Sequence, residues 1–137
     1  MKAKPRPAER DYSHRLLLDK LGVQPGQRIS LWGIADPSFL KDLSARIPNV
    51  VPDQPIAQSD IVFLGANDRK ALERLKSVAA TLEKKGAIWV IYPKGQTHIR
   101  QADVMAAGKS AGLIDNKVCR FSETHTALRF VIPLRSR

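Results

Sequence analysis

The residues able to do chemistry are few and scattered along the chain. His14, His98 and His125 are the only imidazoles and Cys119 the only thiol. They lie in separate segments, with no His/Cys/Asp spacing that would gather a metal ion. A lone cysteine also excludes an intramolecular disulfide, and Cys119, between Val118 and Arg120, reads as a buried, inert thiol. Ser122, Glu123, Thr124 and His125 put a hydroxyl, an acid and a base side by side. Sequence neighbours rarely form a catalytic constellation, so this segment reads as a polar turn. A second set promises more. Gly33, Asp36, Asn67, Asp68, Tyr92 and Lys94 fall in loops that should follow three successive strands. Asp36-Pro37 and Asp68 would each begin a helix, aiming free amides into one crevice, with Lys94 as a point charge for an anion. Both aspartates also work as plain caps, which need no ligand.

Those loops matter only if the elements behind them bring them together. Residues 1–11 carry basic charge and two prolines without an aliphatic cluster, and read as a disordered arm. The remainder, 12–137, is one domain's worth of chain. Ser13 can cap a short helix carrying Leu16, Leu17, Leu18 and Leu21, closed by Gly22. Residues 28–32 (RISLW) predict the first strand, and Phe39, Leu40, Leu43 and Ile47 a helix stopped by Pro48. Residues 49–51 are a weak strand candidate, and 60–64 a buried strand. From Asn67 or Asp68 a helix with an apolar face of Leu72, Leu75, Ala79 and Leu82 is expected. Residues 87–92 (AIWVIY) are apolar on both faces, as a central parallel strand covered by helices requires. A helix over 103–111 and a hairpin of 117–121 with 128–134 complete the chain. Alternating strands and helices predict an open α/β sheet with right-handed crossovers and an antiparallel edge.

This order, with the hairpin after Gly112-Leu113, resembles a shortened class I methyltransferase fold: a three-layer, Rossmann-like, mostly parallel sheet ending in an antiparallel hairpin. The resemblance implies a strand order of 2-1-4-5-7-6 in that family's naming, with the unit of the third strand missing. It also implies a glycine-rich loop after the first strand, where the backbone can approach a cofactor. Here that loop reads Leu31-Trp32-Gly33-Ile34-Ala35-Asp36-Pro37, with one glycine and bulk at Ile34 and Pro37. The departure predicts that S-adenosylmethionine binds weakly or not at all. Asp53, 21 residues beyond Trp32, stands roughly where an acid could meet ribose hydroxyls. More closely, the chain is similar to a family of small bacterial proteins known only as a domain of unknown function. The phrases that carry this are KLGVQPGQR at 20–28, GAIWVIYPK at 86–94, GLIDNKVC at 112–119 and ALRFV at 127–131. That family brings no activity and no catalytic residues.

The charge narrows the partners. Lys and Arg number 23 against 13 acids, a formal +10. Seven basic groups and three acids lie in residues 1–28, and five basic groups face one acid from Lys117 onward. The middle is nearly balanced, with eleven against nine. Such an excess favours an anionic ligand or nucleic-acid phosphates, read without sequence preference because no helix-turn-helix, zinc-finger spacing or stacking strip is present. No apolar run approaches the roughly 18 residues of a membrane span, and none follows the basic N-terminus, so a cytoplasmic, non-membrane protein is expected. The reading these observations favour is a non-catalytic binding or interaction module. Two others stand beside it: a small enzyme binding an adenosine-type cofactor, and a basic protein associated with nucleic acid.

Overall fold

A computed structural model describes residues 17–54 and 56–137; the arm expected over 1–11 and the cap expected at Ser13 lie outside them. The described chain opens with a helical turn at 17–20 that ends at Gly22 (φ +81°), whose left-handed backbone lets Val23 N–H reach back to Leu18 O. β1 (Ile29–Trp32), α1 (Pro37–Arg46) and β2 (Ser59–Gly65) follow. A 3₁₀ turn (Arg69–Arg74) runs into α2 (Leu75–Ala79), then β3 (Leu82–Pro93), α3 (Gln101–Ser110), β4 (Ile114–Arg120), β5 (His125–Val131) and a closing 3₁₀ turn (Leu134–Ser136).

The five strands form one sheet in the order β1-β2-β3-β5-β4. β1, β2 and β3 are parallel, and β5 inserts antiparallel between β3 and β4, with Leu128 opposite Val90 and Val118. This is the order the resemblance implied, less its outer strand. Residues 49–51 form no strand; a single parallel bridge joins Leu31 to Pro52, with Asp53 N–H on Leu31 O at 2.7 Å. Asp53, which makes that bond, turns out of the extended conformation at φ +59°, so one bridge is all that forms there.

Buried strands alternate their side chains between two cores. Val62, Leu64, Ile88, Val90, Leu128 and Phe130 pack toward α2 and α3. On the other face, Ile29, Leu31, Ile61, Phe63, Trp89 and Ile91 meet Leu21 and α1. Phe39 of α1 packs edge-on to Phe63 at 5.3 Å and against Phe121 at 4.9 Å. Trp89 is wholly buried at the sheet centre, and its Nε1–H donates to Leu21 O at 2.9 Å, tying the first turn to the middle strand. Burying each such side chain stabilises by about 1.5–3 kcal/mol. With α1 on one face of the sheet and α2 and α3 on the other, the described chain is a three-layer sandwich.

One expected element differs. The helix predicted from Asn67 or Asp68 to Leu82 is a 3₁₀ turn followed by five α-helical residues, and Leu82 belongs to β3. Leu82 pairs with Ser59, and the next pair is Ala87 with Ile61, so β3 loops out at Glu83, Lys84 and Lys85 before rejoining the ladder. Gly86 makes the re-entry: a Cβ there would lie 2.9 Å from both Asp60 O and Ser59 O. The apolar spacing of Leu72, Leu75 and Leu82 is met by burial in one core from three successive elements.

Candidate functional site

β1, β2, β3 and β4 all end on one rim of the sheet, and β5 starts there. In an open α/β sheet this rim is where ligands sit. The loops leaving β1 and β2 touch. Gly33 adopts φ +66°, and a Cβ on Gly65 would overlap Gly33 O outright. Only glycine permits both the turn and the approach. Gly33 N–H is held by Asp53 Oδ1 at 3.1 Å, with Asp53 itself at φ +59°. Beside this contact lies a groove of about 550 Å³ lined by Gly33, Leu64, Gly65, Asp68, Ala71 and Arg74. The Arg74 guanidinium stacks 4.9 Å over the Trp32 ring at its margin.

Of the residues picked out in sequence, Gly33 and Asp68 share that groove. Asp68 caps the 3₁₀ turn, accepting from Ala71 N–H at 3.0 Å. Asp36 caps α1, accepting from Phe39 N–H at 3.1 Å, and lines a different hollow with Phe39, Phe121 and Ser122 on the α1 face. Tyr92 is buried in the core under α3; its hydroxyl donates to Gln101 Oε1 at 3.4 Å, and burial pushes the phenol up against a smaller opposing pull from Thr126. Lys94 is exposed in the turn after β3, its N–H on Thr124 O at 3.0 Å.

Asn67 joins a constellation that sequence spacing did not suggest. Its backbone O receives His98 Nε2 at 2.8 Å, and its side-chain Oδ1 receives His125 Nε2 at 3.2 Å. A carbonyl oxygen only accepts, so both imidazoles carry their proton on Nε2. In the neutral ring His125 Nδ1 is then an acceptor, and Thr124 Oγ1, 2.8 Å away, donates to it. Ser122 Oγ stands 3.3 Å from Thr124 Oγ1 and accepts from His125 N–H at 3.1 Å. Hydroxyl, imidazole and carboxamide thus form one directed chain, in which a base is oriented by a third group. Arg69 Nε–H on His98 O at 3.1 Å braces the loop that carries His98. The separations, 31 residues from Asn67 to His98 and 58 to His125, explain why no local motif announced it. Among the described residues no group of three or more His, Cys, Asp or Glu is arranged to hold a metal ion, and no helix is long and apolar enough to cross a membrane.

The comparisons agree with this architecture. A family model described as a protein of unknown function, DUF3052, matches residues 18–134. No curated protein matches the sequence. Among solved structures, a SAM-dependent methyltransferase from Aquifex aeolicus superposes with a TM-score of 0.69 at 12% identity, covering 93% of this chain and 94% of that one. A precorrin-6y C5,15-methyltransferase from Geobacter metallireducens gives 0.65 at 12% identity, covering 89% and 87%. Magnesium protoporphyrin IX methyltransferase from Synechocystis PCC 6803 gives 0.62 at 9% identity with SAH bound, covering 97% and 90%. The same enzyme with SAM bound gives 0.61 at 14% identity, covering 97% and 87%. At such identities the likeness is one of fold. It nonetheless overturns the expectation drawn from the first loop, that S-adenosylmethionine is disfavoured, because the chains sharing this fold point toward that cofactor. The expectation weighed the first loop alone, whereas the groove on the rim is walled by two loops, those of Gly33 and Gly65 in contact with each other.

Proposed function

The chain belongs to the DUF3052 family of unknown function, and we propose that it is a small methyltransferase-like protein that holds S-adenosylmethionine on the strand rim. The observation that carries this reading is the groove of about 550 Å³ beside the Gly33–Gly65 contact. Its size is that of a small-molecule site, and its floor is apolar at Leu64 and Ala71 with polar heads around it. Glycine at both positions lets the β1 and β2 loops close on each other, and that contact shapes one wall of the groove. The residues present therefore fit an adenosyl ligand. Gly33 and Gly65 would form the rim, Asp68 would serve as an acceptor for hydroxyls, and Asp53 would hold the Gly33 loop in shape. S-adenosylmethionine supplies an electrophilic methyl group when bound.

The chain's own contribution to transfer would be made next door. Asp68 follows Asn67 directly, so the groove is continuous in sequence with the His98–Asn67–His125 constellation. Thr124, polarised by His125 Nδ1, can take a proton from an incoming hydroxyl or amine while passing its own to the imidazole. Asn67 holds the ring in the tautomer that leaves Nδ1 free to receive it.

Calorimetric titration of the full chain with S-adenosylmethionine and with its demethylated product tests the reading. Saturable heat with a dissociation constant of about 100 μM or tighter, near 5.5 kcal/mol of binding, is expected. Asp53→Ala should weaken it about tenfold by releasing the Gly33 loop, some 1.4 kcal/mol. Absence of heat and of any melting shift at millimolar ligand would refute the assignment.

A further inference from the structure

At the opposite edge of the sheet, beneath the starts of β1, β2 and β3, a second cleft of about 390 Å³ is lined by Lys20, Lys85, Lys117 and Arg129 together with Asp19, Asp60 and Glu83. We infer that this cleft is a site for a phosphate-bearing anion. It goes beyond the cofactor reading, shares no residue with the rim, and stands or falls separately.

The carboxylates in the cleft are already engaged. Asp19 pairs with Arg46 at 2.8 Å, Asp60 Oδ2 accepts from Arg28 N–H at 2.8 Å, and Glu83 Oε2 accepts from Lys85 N–H at 2.8 Å. The cations are not paired in return. Lys117 Nζ donates to Lys20 O at 3.3 Å and Arg129 Nη1 to Asn116 Oδ1 at 3.2 Å, and among the described residues neither meets a carboxylate. Lys117 and Arg129 are also direct cross-strand partners of β4 and β5. Like charges facing each other on a sheet are destabilising, so folding alone gives no reason for this pair.

Arg129 and the neighbouring Cys119 carry the mark of burial first and of positive neighbours second. Arg129 is half-buried, and burial together with nearby Arg137 pulls its guanidinium below the ordinary range. Lys117 and Lys20 both pull on the Cys119 thiol, though burial outweighs them and pushes it up. An anion bound between a guanidinium fork and ammonium groups would relieve the repulsion and accept charge-assisted hydrogen bonds from both. A phosphate or diphosphate has the oxygens to do so.

The test is an amide-shift titration of the full chain with inorganic pyrophosphate at low salt, with a short single-stranded oligonucleotide as a second arm. Expected are saturable shifts centred on Lys20, Lys85, Lys117 and Arg129. The double variant Lys117→Gln/Arg129→Gln should weaken binding about tenfold or more, with a melting temperature equal to or above that of the parent. Lys20→Gln/Lys85→Gln, both exposed, provides a second check if the first variant folds poorly. Tighter oligonucleotide binding at the same residues, with affinity falling steeply in salt, makes nucleic-acid phosphates the source. Pyrophosphate binding as tightly as the oligonucleotide makes it a small phosphorylated ligand. Either result supports the site. Shifts that fail to saturate, that centre on Lys94 and the strand rim, or that survive in both variants overturn it.

Discussion

The His125 ring is held by directional bonds at both nitrogens, and that makes its tautomer a measurable consequence of Asn67. Replacing Asn67 with Leu removes the acceptor at Nε2 and leaves Nδ1 with Thr124 alone. Imidazole nitrogen spectra at mildly alkaline pH should show a nearly pure Nε2–H form in the parent and a mixture in Asn67→Leu. An unchanged spectrum would mean that the bond does not orient the ring. Cys119 and Tyr92 give a second consequence at this scale. Burial pushes both groups up, so each keeps its proton in the folded chain at pH values where the unfolded chain has lost it. Stability from this source is intact below the unfolded values, about 8.5 for a thiol and 10 for a phenol. It is lost as pH rises through the raised folded values. Urea midpoints should therefore decline from about pH 8.5 upward. Cys119→Ala should flatten the first part of that decline.

At the scale of elements, two glycines fix how neighbours approach. A Cβ at Gly108 would enter the ring of Phe130, so α3 can lie this close to β5 only with no side chain there. Gly108→Ala gains about 1 kcal/mol of helix propensity but should cost about 2 kcal/mol net through overpacking. Pairing it with Phe130→Leu should return most of the loss, a coupling that denaturant melts of the double-mutant cycle will read. Gly65→Ala presses a methyl group onto Gly33 O, a backbone atom that cannot swing aside. It should lower stability by about 2 kcal/mol and distort the β1 loop together with the β2 loop. Amide shifts confined to one loop would show that the two are not in contact.

For the molecule as a whole, charge and the two cores set the behaviour. A formal +10 on a chain of this length repels itself. Raising salt from about 20 to 200 mM shortens the screening length to below about 10 Å, so the melting temperature should rise; a fall would locate the dominant charge effects in attractive pairs. The single ion pair among the described residues, Arg46 with Asp19, is too exposed to reverse that sign. The two cores meet only through the sheet, and the first turn is fastened to it by Trp89 Nε1 on Leu21 O. Trp89→Phe keeps most of the apolar area but strands that carbonyl, costing about 1–3 kcal/mol.

What the sequence determined by itself follows from local physics. An apolar run at 87–92 must be buried on both faces, and Asp36-Pro37 must start a helix; both hold. Alternating strands and helices predicted an open α/β sheet with an antiparallel edge; the strand order, less its outer strand, and the inserted hairpin were expected only through the resemblance to the methyltransferase fold. Three things were decided only by tertiary structure. A candidate strand became one bridge to Leu31, because Asp53 turns to φ +59° there and gives its carboxylate to Gly33 N–H. Leu82 has helical spacing from Leu75, yet pairing with Ser59 drew it into β3 and forced out Glu83, Lys84 and Lys85. The rim chemistry was invisible for a geometric reason. Gly33 meets Gly65, and His98 meets His125 through Asn67, only because parallel strands end at one edge and bring loops dozens of residues apart into hydrogen-bonding distance. Periodicity along a chain reports which face is buried; it carries no information on which loops become neighbours.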